Sequence, residues 1–330
     1  MLDTFASTMP AWRLAFFAVL SFGPQGVAQT PPPRAGHVMT TAGPTGGVLL
    51  VGGQIIDNTP RLADTLWHWD GAAWHPLSDA GPRNRTLPGA AYDTRRNVLV
   101  VYGGGGIGSG TRFGDTWEWN GQRWTERNLQ TPGARDHHAM AYDEARGKVV
   151  MYGGAGPAGR PFPNDTWTFD GTTWELADST SGPGGLVHHA MAYDAKRQRI
   201  VIFGGLDNNN RRSTDVWEWD GSKWQRIPAP GAGPSARSHN RLAYDAARGV
   251  TVLFGSDTTG ETWTWDGSRW TQHSVAGPTP RSMQVMAFDA RRQRVVLFGG
   301  AGRGGVPPYD YLNDTWEWDG ARWSRASASR

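Results

Sequence analysis

From residue 34 onward the chain alternates short apolar runs with turn residues, and the alternation itself repeats. A run such as "HAMAY" is followed by a polar turn and a run of the type "VVLFGG". A polar loop, a "TWEW" element, a "DG" turn and a Trp-led stretch complete the unit. The runs are short and rich in β-branched and aromatic side chains, which predicts strands. Alternation in "TWEW" sends both Trp to one face and Glu118, Glu218 or Glu317 to the other. The turn Asp, as in "DEARGK" from Asp143, starts a tight turn through its side-chain oxygen, and the "DG" or "NG" pairs suit hairpins.

The unit recurs six times. The first Gly of the Gly pair, or of its equivalent, falls at 52, 103, 153, 204, 255 and 299, with spacings of 51, 50, 51, 51 and 44. Behind each lies an acidic-Trp element beginning at Asp64, Asp115, Asp165, Asp215, Glu261 or Asp314. A further Trp follows each "DG" or "NG" turn, at Trp74, Trp124, Trp174, Trp224, Trp270 and Trp323. Six four-stranded units with no helix-length segment between them predict an all-β, six-bladed propeller with four antiparallel strands per blade. The blades fall at about 34–79, 80–130, 131–180, 181–230, 231–275 and 276–326, after a Pro-rich lead-in at 29–33 and before a tail at 327–330. Every four-strand set is in chain order, so blade one is expected to meet blade six without a covalent latch.

Composition narrows the function. Of 18 Trp, all but Trp12 occupy repeat positions, which reads as wedging between blades and not as carbohydrate stacking. A net charge of +3 with no Lys/Arg block gives no nucleic-acid footprint. The absence of Cys excludes disulfides and thiolate sites. "YGGGGIGSG" at 102–110 follows a strand with no helix after it, so it is not a dinucleotide loop. After Arg13, "LAFFAVLSFG" leads to the small residues Gly26 and Ala28, which predicts a signal peptide over residues 1–28 and a secreted or periplasmic protein. No later stretch is apolar enough to hold the mature chain in a membrane.

The R-x-x-H start, the Gly pair after an apolar strand and the D-x-W…W pair together resemble the kelch motif, whose period is about 50 residues. The resemblance covers about residues 34–326, with Gly255-Ser256 and the "MTTAG" of blade one as departures. It implies first strands lining a central channel. It also implies ligand sites where those strands begin and in the loops joining second to third strands. Ubiquitin-ligase adaptors of the family grip acidic peptides through "R-S" and "R-N-R" stretches, which here correspond to Arg83, Asn84, Arg85, Ser238 and Ser282. The propeller of galactose oxidase is similar, but its radical copper cofactor needs a Cys that this chain lacks. A periplasmic sialic-acid mutarotase of the family needs a Glu or His proton donor and an Arg for the sugar carboxylate, and no residue set here marks it.

Counting back 18 residues from each first Gly gives the column Arg34, Arg85, Arg135, Leu186, Arg237 and Arg281. Two positions on stand Gly36, Leu87, His137, His188, His239 and Met283; three positions on stand His37, Pro88, His138, His189, Asn240 and Gln284. The kelch pattern places His at the third position, so His37, His138 and His189 are expected to be scaffold. His137, His188 and His239 lie outside that pattern in three consecutive blades and are candidate site residues. Flanking arginines oppose a cation among them, so no metal and no cofactor is assigned. The loops joining second to third strands run 10, 10, 10, 9, 4 and 13 residues and carry Arg61, Arg112, Arg160, Arg211, Arg212 and Arg303. A rim of arginines favours carboxylate or sulfate groups. The longest loop adds Tyr309 and Tyr311 as contact residues.

The resulting expectation is an exported, monomeric kelch-repeat binding module that holds an acidic protein segment or a glycan. Its ligand set is Arg83, Asn84, Arg85, Arg112, His137, His188, Arg212, Ser238, His239, Ser282, Tyr309 and Tyr311, with no catalytic residue. The alternative is a kelch-type, mutarotase-like enzyme acting on carbohydrate.

Overall fold

The expected apolar runs are strands, and they assemble in chain order. In a computed structural model describing residues 29–55, 61–107, 110–256, 258–302 and 310–326, six four-stranded antiparallel sheets follow one another. Their first strands are Val38–Thr41, Gly89–Asp93, Ala139–Asp143, Ala190–Asp194, Arg241–Asp245 and Val285–Asp289. The fourth strands begin at Trp74, Trp124, Trp174, Trp224, Trp270 and Trp323, the Trp that follows each turn. Each sheet pairs its strands in sequence order from one contiguous stretch of chain. The signal peptide expected over 1–28, Arg303, Tyr309 and the tail at 327–330 lie outside the described residues. Among the described residues no helix is long and apolar enough to cross a membrane.

Turn chemistry fixes the hairpins. The first residue of every turn between third and fourth strands accepts backbone N–H groups two and three positions on, as Asp70, Asn120, Asp170, Asp220, Asp266 and Asp319 do. Gly300 shows why the paired glycines recur: its φ is +101° and a Cβ there would meet the Ser282 carbonyl at 2.8 Å. Sheet five escapes this requirement because Ser256 turns straight back through an N–H bond to the Thr259 carbonyl.

Packing lies between sheets. Each of six buried clusters joins one sheet to the next, and the last joins sheet six (Val285, Val296, Phe298) to sheet one (Leu50, Trp69, Trp74). The first strands likewise neighbour one another in an unbroken circuit that returns from Val285–Asp289 to Val38–Thr41. At that closing junction His37 Nε2 bonds the Phe298 carbonyl at 3.2 Å and the Gly47 N–H donates to Asp289 at 3.0 Å. His37 thus sits in the scaffold, as Gln284 does through the Phe254 carbonyl.

A Trp–Thr bond recurs at the junctions: the indole N–H of Trp74, Trp174, Trp224 and Trp323 donates to Thr315, Thr116, Thr166 and Thr262 of the preceding sheet at 2.8–3.0 Å. At the two remaining junctions the acceptor position holds Leu66 or Val216, and among the described residues no group accepts the buried N–H of Trp124 or Trp270. A buried donor left unbonded costs about 1–3 kcal/mol. The near-isosteric Val216→Thr is therefore expected to raise unfolding free energy by about 1 kcal/mol in urea titration. An unchanged or lower midpoint would show that Trp270 is already satisfied.

Two small sheets were not expected. Arg34–Ala35, Gln54–Ile55 and Arg61–Leu62 form one, and Leu186–Val187 with Leu206–Asp207 forms the other. Both arise where the segment ahead of a first strand pairs with the loop leaving the second.

Candidate functional site

The segment ahead of each first strand carries two layers of residues. The outer layer is a buried clamp. Arg85, Arg135 and Arg281 each place both terminal nitrogens on Asp115, Asp165 and Asp314 at 2.6–3.0 Å, and Arg237 reaches Glu261 at 2.9 Å. Each also donates to the first-Gly carbonyl of its own sheet, at Gly103, Gly153, Gly299 and Gly255. The same carboxylates accept the indole N–H of Trp117, Trp167, Trp316 and Trp263. Arg85, expected in the ligand set, is 3 % exposed, with both terminal nitrogens bonded within its own sheet.

The inner layer is a backbone ring. Leu87, His137, His188, His239 and Met283 have φ between +55° and +60°, and Gly36 has +66°. Each of the five donates its N–H to the equivalent carbonyl of the preceding sheet, from Leu87 onto Gly36 through to Met283 onto His239, at 2.6–3.2 Å. The left-handed conformation turns each N–H toward the neighbouring sheet and brings the column together at one end of the central channel. Two residues later the first strand begins, so the side chains above it are held by rigid elements.

Three of these side chains touch. The rings of His137 and His188 lie 4.1 Å apart edge to face, and those of His188 and His239 lie 3.6 Å apart. His137 Nδ1 is 2.7 Å from Asp136, which also pairs with Arg112 at 3.0 Å. Burial pushes the Asp136 carboxyl upward, but the bonds from His137 and Arg112 outweigh it and hold the group below its ordinary range. Burial drives His188 well below the usual imidazole range, and the neighbouring His137 and His239 add to that. Burial, with His137, Arg241 and Arg212, lowers His239 to about 3. His188 and His239 are thus neutral at physiological pH. Among the described residues no group of three or more His, Asp or Glu is arranged to hold a metal ion.

Below the ring lies Arg241, a residue that sequence reasoning did not single out. Its column otherwise holds Val38, Gly89, Ala139, Ala190 and Val285, so the sole Arg was visible as an anomaly. It lines a channel segment of about 80 Å³ with His138, His189, Met140 and Met191. Its recorded bond goes to the Asn240 carbonyl at 3.0 Å, and no carboxylate among the described residues pairs with it. Burial alone lowers it to about 10. A guanidinium so placed remains charged near neutrality, and without a carboxylate partner among the described residues it attracts an anion into the channel. Beyond it the channel widens to about 340 Å³ among Met, Ala and Tyr side chains.

The other expected residues fall in five places. Ser238 is 1 % exposed with its hydroxyl 3.1 Å from His239 Nδ1, so it belongs to the histidine cluster. Ser282 is equally buried and its backbone pairs with Ala301. Arg83 and Asn84 are exposed ahead of sheet two, where the Asn84 N–H donates to Asp64 at 2.8 Å. Arg212 is exposed beside a cleft of sheet four, and Tyr311 opens the third strand of sheet six opposite Ala301. The structure thus gathers Arg112, His137, His188, Ser238 and His239 around the channel mouth, and leaves Arg83, Asn84 and Tyr311 on other elements.

No family model matches the chain, and no curated protein sequence does. Among solved structures, that of YjhT, a kelch-type β-propeller, superposes with a TM-score of 0.70 at 15 % identity, covering 90 % of this chain and 99 % of YjhT. That likeness, with the repeated four-stranded sheets, gives this chain an all-β fold of the β-propeller type.

Proposed function

We propose that the chain is an exported, six-bladed kelch propeller that binds a carboxylate-bearing group, from an acidic protein segment or a glycan, at the histidine-lined channel mouth. The observation that carries this reading is Arg241, a guanidinium in the channel without a carboxylate partner among the described residues. Arg112 stands at the mouth paired with Asp136, and Arg212, in the sheet-four loop, adds its field at His239. The neutral imidazoles of His188 and His239 offer hydrogen bonds without competing for the anion's counter-charge. Arg85 leaves the ligand set, because Asp115 occupies it.

A screen of acidic glycans and peptides on the mature chain, repeated at high salt, tests the reading. Binding that ignores both carboxylates and salt would discard it. The pH profile is a second check. Burial holds His188 and His239 below the ordinary imidazole range, so these two rings are expected to add no rise in affinity for a carboxylate ligand as pH falls from 8 to 6. Affinity rising steeply below pH 6.5 would show instead that these imidazoles become cations and bind the anion themselves.

The mutarotase-like alternative rests on the Asp136–His137 pair, which has the geometry of an oriented imidazole base. His239 is too weak a base to share that role near neutrality. Exchange spectroscopy on anomeric sugar acids would detect such turnover, and its loss in His137→Ala would favour catalysis over binding.

A further inference from the structure

The clamp has one vacancy. In sheet four the clamp position holds Leu186, which is 3 % exposed and has no side-chain donor. The groups that face a guanidinium elsewhere are still there. Gly204 stands where Gly103, Gly153, Gly255 and Gly299 accept from an arginine, and Asp215 stands where Asp115, Asp165 and Asp314 do. Between them opens a cleft of about 290 Å³ lined by Leu186, Gly204, Asp215 and Trp217, together with Asp207, Arg211 and Arg212. The Asp215 side chain is 33 % exposed, against 21, 17 and 14 % for the three clamped aspartates. Its recorded ion pair comes from outside the cleft, where Arg226 meets Oδ1 at 2.6 Å. Gln272 approaches Glu261 from the same outer side in sheet five, while Arg237 holds the inner side. In sheet four that inner side faces the cleft.

We propose that this cleft is a socket for a guanidinium, supplied by the arginine side chain of a protein or peptide partner. Three sheets of the same chain show the geometry such a group adopts, one nitrogen on the glycine carbonyl and a fork onto the carboxylate, and in sheet five Arg237 makes the glycine bond with a single bond to Glu261. An ammonium cannot make that fork, so lysine is a poor substitute. The lining residues Asp207 and Asp215 balance Arg211 and Arg212 in formal charge, and Arg211 is exposed, so water screens its repulsion. This socket is separate from the channel mouth and does not depend on the anion-binding reading.

The test titrates N-acetyl-L-arginine amide into the full chain and follows the indole N–H of Trp217, assigned by comparison with Trp217→Phe. A saturable shift is expected in the millimolar range. Asp215→Asn weakens it at least tenfold. Leu186→Arg abolishes it and raises the melting temperature, because the chain's own guanidinium then closes the clamp. N-acetyl-L-lysine amide binds at least tenfold more weakly. An equal arginine response in wild type and Asp215→Asn would overturn the proposal, as would a saturable shift with acetate and none with arginine. Should Leu186→Arg fail to fold, Asp215→Asn decides the question alone.

Discussion

Arg281→Ala is expected to lower the unfolding free energy by about 3–5 kcal/mol, the cost of breaking a buried ion pair by removing one partner. Arg281 is 1 % exposed and bonds Asp314 twice, Gly299 once, and Thr279 through both its carbonyl and its hydroxyl. The variant strands Asp314, with the Trp316 indole as its remaining recorded side-chain donor. Arg281→Lys is expected to recover only part, since a point charge cannot fork onto a carboxylate. Guanidinium chloride midpoints at unchanged m-value measure the loss, and a change below about 1 kcal/mol would reduce the clamp to an ordinary surface pair.

The clamp also sets the acid limb of stability. Burial acts to raise the Asp314 carboxyl, but the bonds and charge of Arg281 outweigh it and hold the group below its ordinary range; Arg85 does the same for Asp115. A carboxyl whose folded pKa is depressed binds its proton more readily when unfolded. Its contribution is complete above the unfolded carboxyl range near pH 4 and disappears as pH falls through the folded value. Arg281→Ala should accordingly show a smaller loss of stability between neutral pH and the acid range than wild type.

Arg241→Met carries the opposite sign. The variant is expected to gain about 1–2 kcal/mol of stability, because a desolvated cation with no carboxylate partner among the described residues is replaced by an apolar chain of similar length. The sign follows from the titration. Burial lowers Arg241 from its ordinary value to about 10, so the folded protein holds this proton less tightly than the unfolded chain. The charged form therefore costs stability at every pH below that value, neutral pH included. Affinity for a carboxylate ligand should fall at least tenfold in the same variant, which is about 1.4 kcal/mol. A stabilised protein with weaker ligand binding is the pattern of a residue kept for function. Lower stability with unchanged binding would instead make Arg241 a packing element.

Much of this architecture was legible in the residues. The Gly pairs, the turn Asp or Asn and the spaced Trp each state a local requirement: a positive φ, a bonded N–H, a wedge between sheets. Because the same requirements recur six times, the strands, their order and their hairpins follow from the sequence alone. The scaffold role of His37 was legible for the same reason.

The site was less legible, because which side chains meet across the ring depends on contacts about 50 residues apart in sequence. Arg85 reads like a rim ligand until the fold sets it against Asp115, 30 residues on, where burial makes the ion pair obligatory. His137 and His239 stand in separate sheets and join one cluster only because the left-handed backbone ring turns their column to the channel mouth. Arg241 is a single letter among small and apolar ones, and only the closed channel shows that its charge has nowhere else to go. The sequence by itself determined the repeating scaffold, since repetition expresses local backbone and turn energetics. The tertiary structure decided which charges are spent within a sheet and which remain for a ligand, since desolvation and pairing are properties of the assembled ring.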